Sequence, residues 1–190
     1  IVDFIPGVFA QQRNGAESAR LSIRGSGLGR QFQGGGLLLL QDGIPLNSAD
    51  GSFDFQAIDP WLIDYVSVYR GGNGMALGGS TLGGVIQLGS TLPDASQTDK
   101  MRLSAGSFDT QRGMLSYTAG ETSDFIRIRA SHFTQEGFRV QNQQRSNRID
   151  LQYYKDGQSR FNHRVGVFHL NTYAQLPSSL SRALIEEDPR

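Results

Sequence analysis

The first chemistry the residues suggest is phosphate binding. Gly71-Gly72-Asn73-Gly74 follows an alternating run, and glycine amides after a strand can cradle phosphate oxygens. Yet no Gly-Lys-Ser/Thr ending is present, and Gly72, Gly74 and Gly78 miss the dinucleotide spacing by one residue. The next apolar run begins near Val85, which leaves too little chain for a crossover helix. A metal pair is the second possibility, because His163 and His169 would share one face of a regular strand. No carboxylate stands near them at suitable spacing and His132 is remote, so wall or interfacial histidines are the plainer reading. No serine, histidine and acid arrangement emerges either, so the chain does not read as an enzyme, and no resident cofactor or metal is expected. Arg24 and Arg70 each stand at a strand end beside a glycine. There the backbone can approach a neighbour closely while the guanidinium reaches sideways; the plainer reading is a solvated strand-end arginine.

The elements that must carry these groups follow two different patterns. Residues 1–92 read as a compact, glycine-punctuated α/β region with a mixed sheet and short helices. Pro6-Gly7 precedes Val8-Phe9, and Leu21-Ser22-Ile23-Arg24 alternates as a short strand. Leu37–Gln41 meets Ile44 across Asp42-Gly43, a strong hairpin signal. Tyr65-Val66-Ser67-Val68-Tyr69 and Val85-Ile86-Gln87-Leu88 supply two more strands. After a polar linker over 93–99, longer alternating segments begin: Met101–Phe108, Arg112–Ala119, Phe125–Thr134, Arg148–Lys155 and Arg160–Tyr173. Ile126, Ile128 and Ala130 share a face opposite Arg127, Arg129 and Ser131, and Ile149, Leu151 and Tyr153 oppose Arg148, Asp150 and Gln152.

Such alternation suits a soluble sandwich as well as a membrane barrel. If the first of these strands runs outward, Gly120–Asp124 and Asp156–Ser159 become short inner turns. The stretches Glu136–Asn147 and from Ala174 onward become long outer loops, the arrangement of outer-membrane barrels. Tyr153, Tyr154, Phe168 and Tyr173 could join aromatic girdles or a core. Composition agrees with β structure: 24 glycines, a 37% hydrophobic share and no apolar run near the roughly 20 residues of a membrane helix. Eighteen basic and eighteen acidic residues cancel, which argues against a nucleic-acid partner. No cysteine is present, so disulfides and thiolate sites are excluded. The chain begins Ile1-Val2-Asp3 and ends in a polar stretch, and both ends read as cuts.

Six segments stand in order along the first half: Phe4-Ile5-Pro6-Gly7-Val8, Ile23-Arg24-Gly25, Leu39–Leu46, Ile58-Asp59-Pro60, Val66–Gly71 and Leu82–Ile86. Together they resemble the plug of TonB-dependent outer-membrane receptors. Tyr69–Leu88, together with the stretch from Leu176-Pro177 to Asp188-Pro189-Arg190, is similar to receptors for ferric citrate and ferric siderophores. The resemblance implies a plug over 1–92 and, over 100–190, about five antiparallel strands of a transmembrane β-barrel of about 22, a width whose lumen must be filled. It implies import of a ferric chelate across the bacterial outer membrane, the iron travelling inside its ligand. Cobalamin, haem or an oligosaccharide would use the same plug. A periplasmic TonB energy-coupling complex would act through a segment upstream of Ile1, and outer-membrane lipid would surround the strands. A soluble β-rich binding module is the distant alternative; it would end where its sheet ends, whereas five strands cannot close a barrel in lipid.

By the same resemblance Arg24 and Arg70 are plug arginines that pair with carboxylates on the barrel wall. Removing one partner of such a buried pair costs about 3–5 kcal/mol. The loops Ser26–Gly36 and Asn47–Gln56 would face the external cavity. There Arg30, Phe32, Phe53 and Asp54 would meet an anionic or aryl-bearing chelate by charge, stacking and hydrogen bonding.

Overall fold

The computed structural model describes residues 5–12, 19–26, 36–78, 82–92, 99–139, 141–157 and 161–176. Two compact units divide between Thr91 and Leu92.

In the first unit, β1 (Val8–Gln12) and β2 (Ala19–Ile23) pair antiparallel, Val8 opposite Ile23. A four-stranded sheet comprises β3 (Leu37–Gln41), β4 (Ile44–Pro45), β5 (Tyr65–Arg70) and β6 (Gly84–Gly89) in the order β4-β3-β6-β5. The β3–β6 pair is parallel and the other pairs are antiparallel. β6 lies between two strands and is buried at nearly every position, which is why Val85-Ile86-Gln87-Leu88-Gly89 reads as an almost continuous apolar run. The Asp42-Gly43 hairpin forms as its sequence predicts, with φ of 50° and 84° at the two turn residues. The core joins Leu21, Ile23, Leu37, Leu39, Phe53, Ile86 and Leu88. Burying each large side chain contributes about 1.5–3 kcal/mol.

The helical share of this unit is smaller than an α/β reading suggests. Among the described residues it consists of 3-10 turns at Phe55–Ala57, Pro60–Leu62 and Gly71–Leu77. Ile58-Asp59-Pro60 works as a start signal: the Asp59 carboxylate accepts the Trp61 amide at 2.9 Å, and Pro60 supplies a fixed φ. The glycine run after β5 forms the third turn, not a phosphate cradle. A Cβ at Gly74 would lie 2.6 Å from Val85 Cγ2, so close backbone packing explains that glycine.

The second unit is a single antiparallel meander of β7 (Lys100–Gly106), β8 (Thr110–Glu121), β9 (Asp124–Gln135), β10 (Gln144–Asp156) and β11 (Asn162–Ala174). These strands match the expected alternating segments with shifted ends; the linker over 93–98 lies outside the described residues. The register stacks like with like. One face carries Leu115, Ala130 and Ile149 in a row, then Tyr117, Ile128, Leu151 and Val167. The other carries Ser116, Arg129 and Asp150, and beside them Met114, Ser131 and Arg148. The burial of the two faces is the reverse of that in a water-soluble sheet. Arg127, Arg129 and Arg148 are 4%, 3% and 1% exposed, whereas Ile126, Ile128 and Ile149 are 47%, 46% and 52% exposed. Water would drive the opposite choice.

Candidate functional site

Arg24 and Arg70 both reach the Pro6-Gly7 turn. β1 begins beside the end of β2, and there Arg24 takes a left-handed φ of 52° while its amide donates to Gly7 O at 3.1 Å. Arg70, closing β5, donates through Nη1 to Pro6 O at 2.8 Å. A Cβ on Gly71 would stand 3.4 Å from Arg24 Nη1, and one on Gly7 would stand 3.9 Å from Arg70 Nη1, so each guanidinium lies against a glycine beside the other arginine's strand end. Both arginines are exposed.

The expected ligand loops are only partly described. Arg30 and Phe32 lie outside the described residues. Phe53 requires a correction: it is 7% exposed and belongs to the core with Leu21, Leu39 and Leu88, because an aromatic ring gains more from apolar burial than from a wet loop. Its ring packs the unit and presents no stacking face. Asp54 is exposed, and its Oδ1 accepts the Gln56 amide at 2.9 Å, starting the turn Phe55–Ala57.

Several devices here have only faint sequence signals. Asn47 uses its carboxamide as a piece of strand: Oδ1 accepts Leu39 N at 2.8 Å, and Nδ2 donates to Leu37 O and Gly51 O, both at 3.0 Å. An asparagine just past a hairpin is a turn signal, but not one that names its partners. At the end of the sheet Asp42 Oδ1 accepts Ser90 N at 2.7 Å and Oδ2 accepts Ser90 Oγ at 3.0 Å. Asp64 grips Thr91 through one oxygen, Oδ2 accepting both Thr91 N and Thr91 Oγ1, at 3.0 and 3.1 Å.

On the polar face of the second unit, Arg129 Nε donates to Asp150 Oδ1 at 2.7 Å. Both side chains are nearly fully buried, so the pair stands in a medium where its attraction is little screened. Nearer the short turns, Phe125 and Tyr154 stack with centroids 5.3 Å apart. Arg127 lies over the first ring at 5.3 Å and Arg164 over the second at 5.8 Å. His163 and His169 do share a face, opposite Lys155 and Ile149 respectively.

A family profile described as "TonB-dependent Receptor Plug Domain" matches residues 1–85. A curated relative, the ferrioxamine receptor of Yersinia enterocolitica, is 31% identical over 119 residues, covering 62% of this chain and 16% of the relative. The vitamin B12 transporter BtuB of Vibrio vulnificus is 30% identical over 138 residues, covering 72% of this chain and 22% of the relative. The chain therefore spans about a fifth of the length of these curated relatives. Among solved structures, the ferric citrate transporter FecA in its unliganded form superposes with a TM-score of 0.73 at 20% identity, over 98% of this chain and 30% of that one. The copper transporter OprC superposes with a TM-score of 0.71 at 19% identity, over 92% of this chain and 27% of that one. Residues 1–85 thus carry the plug domain of the TonB-dependent receptors, and the chain as a whole shares the fold of such transporters, a plug followed by five antiparallel strands.

Proposed function

We propose that this chain serves a transporter of the bacterial outer membrane that imports a ferric chelate, driven by a TonB energy-coupling complex engaging a segment upstream of Ile1. The observation that carries the membrane part is the reversed polarity of the meander, with isoleucines outward and buried arginines on the other face. An aqueous sheet pays for that arrangement; a lipid-facing barrel wall gains from it. The chelate reading is supported by the names of the relatives, a ferrioxamine receptor and a ferric citrate transporter. The iron would travel inside its ligand, with no metal held by the protein. Cobalamin is the second reading, favoured by the vitamin B12 transporter among the relatives.

Within this proposal Arg24 and Arg70 hold the plug to wall carboxylates. Both residues hold the Pro6-Gly7 turn, Arg70 through its guanidinium and Arg24 through its amide, which supports a shared place for them, and guanidinium groups suit bidentate pairing with carboxylates. Arg30, Phe32 and Asp54 remain proposed ligand contacts on the two outward loops.

The test is uptake of labelled ferric citrate, ferrioxamine and cyanocobalamin by cells expressing the full-length protein, with and without the coupling complex. Uptake of one iron chelate that stops without the complex is the expected result. Uptake of cyanocobalamin alone would replace the iron reading, and no uptake of any of the three by correctly inserted protein would refute both.

A further inference from the structure

Two polar rims border the outward face of the meander, and they carry different charge. At the end with the short 122–123 turn, Glu121 stands opposite Asp124 and Asp124 opposite Lys155, whose Nζ lies 3.3 Å from the Asp124 carboxylate. The other end holds the longer 136–143 connection, which makes it the outer one. Among the described residues its outward-facing rows contain no Asp or Glu. Arg145 stands there directly opposite Tyr173, and one row nearer the apolar band His132, Asn147 and Asn171 follow one another across three strands. All are exposed.

The polar atoms of this rim are set as donors. Asn147 Oδ1 meets His132 Nδ1 at 2.7 Å; a carboxamide oxygen only accepts, so it takes the Nδ1 proton and the amide hydrogens of Asn147 turn away from the ring. Gln175 Nε2 donates to the Tyr173 hydroxyl at 3.1 Å, which leaves the hydroxyl its own proton to give. A guanidinium, a phenol and carboxamide N–H groups on adjacent strands, with no carboxylate among them, suit a group rich in lone pairs and negative charge. A phosphate monoester has that chemistry.

We propose that this rim binds the phosphate of an anionic lipid in the outer leaflet. Arg145 meets the charge, Tyr173 and Asn171 donate around it, and the acyl chains lie along the apolar rows from Ile149 inward. Resting on the membrane part of the function proposed above, this adds a headgroup preference confined to one rim, which a lipid-facing wall does not need.

The experiment titrates the full-length protein in detergent micelles with phosphatidic acid or phosphatidylcholine and reads the first bound lipid by native mass spectrometry. Wild type should bind phosphatidic acid on the order of tenfold more tightly than phosphatidylcholine. Arg145→Gln should remove most of that preference, while Lys155→Gln, at the opposite rim, should keep it. Asn171→Lys adds a cation to the same rim and should tighten phosphatidic acid binding on the order of tenfold, a gain that misfolding does not mimic. Inorganic phosphate in large excess should leave the lipid bound; its displacement by phosphate would mean a site for the free anion and overturn the lipid assignment. Equal binding of the two lipids, or a preference lost in Lys155→Gln and kept in Arg145→Gln, would overturn the proposal. So would a protein dimer that forms through this rim, broken by Arg145→Gln and indifferent to lipid. Protein that never enters the outer membrane of cells would fail the membrane reading as well, whereas inserted protein without a lipid preference overturns this proposal alone.

Discussion

Ile128→Lys is the substitution that tests the outward face of the meander most directly. Ile128 sits opposite Leu151 on β10, and Leu151 lies midway between Asn147 and Lys155, which begin the polar rims on the same face. At about 3.3 Å per residue and a tilt of about 40°, the rims stand roughly 20 Å apart along the membrane normal, close to the apolar band of about 25 Å on such barrels. Ile128 is then about 10 Å from either rim, at mid-depth, where a lysine costs about 2–4 kcal/mol. Asn147→Lys, at the rim, should cost about 0–1 kcal/mol. The assay is reversible urea unfolding of the full-length protein in phospholipid vesicles, followed by tryptophan fluorescence. If Ile128→Lys unfolds within about 0.5 kcal/mol of wild type, the isoleucine faces water and the lipid-facing interpretation of the reversed burial is refuted. Equal large costs at both positions would point instead to a packed protein interface.

Three further outcomes are expected. Asp150→Ala should destabilise the strands by about 3–5 kcal/mol in the same unfolding assay by removing the carboxylate that meets the buried Arg129 guanidinium, while the double replacement Arg129→Met with Asp150→Leu should recover most of that loss. Gly74→Ala should destabilise the plug by about 1–3 kcal/mol, because its methyl would press on Val85, and adding Val85→Ala should relieve it, as seen in amide exchange of β6. Asp59→Ala should cost about 0.5–2 kcal/mol by removing the acceptor for Trp61 N, with Asp59→Asn nearly neutral in thermal unfolding.

How much was legible in the sequence depended on whether a feature is local. The Asp42-Gly43 turn and the alternation of Ile126, Ile128 and Ala130 against Arg127 and Arg129 are written in neighbouring residues, and the structure follows them. Alternation does not say which face is buried, since a two-residue period looks alike in water and lipid; only the burial of Arg148 beside an exposed Ile149 decides that. Phe53 stands between the polar Ser52 and Asp54 and so reads as a ring on an open loop, whereas its core partners Leu21 and Leu88 lie far off in the chain. Asn47 and the aspartates gripping Ser90 and Thr91 act on backbone groups, and backbone partners leave no signature in residue type.

The place of β6 in its sheet carries a consequence for assembly order. It is the last strand of the first unit to be synthesised, yet both β3 and β5 pair along it. Until residue 89 is available, β3 has only the two-residue β4 as a neighbour and β5 has none in that sheet. Parallel closure of β3 on β6 spans more than forty residues and so carries a large loop entropy before any contact rewards it. The plug consequently cannot nucleate its sheet from its own beginning and stays open until its final strand arrives. An excised plug should therefore be cut after Thr91, because a piece ending at residue 85 would lack most of the strand that joins the other two.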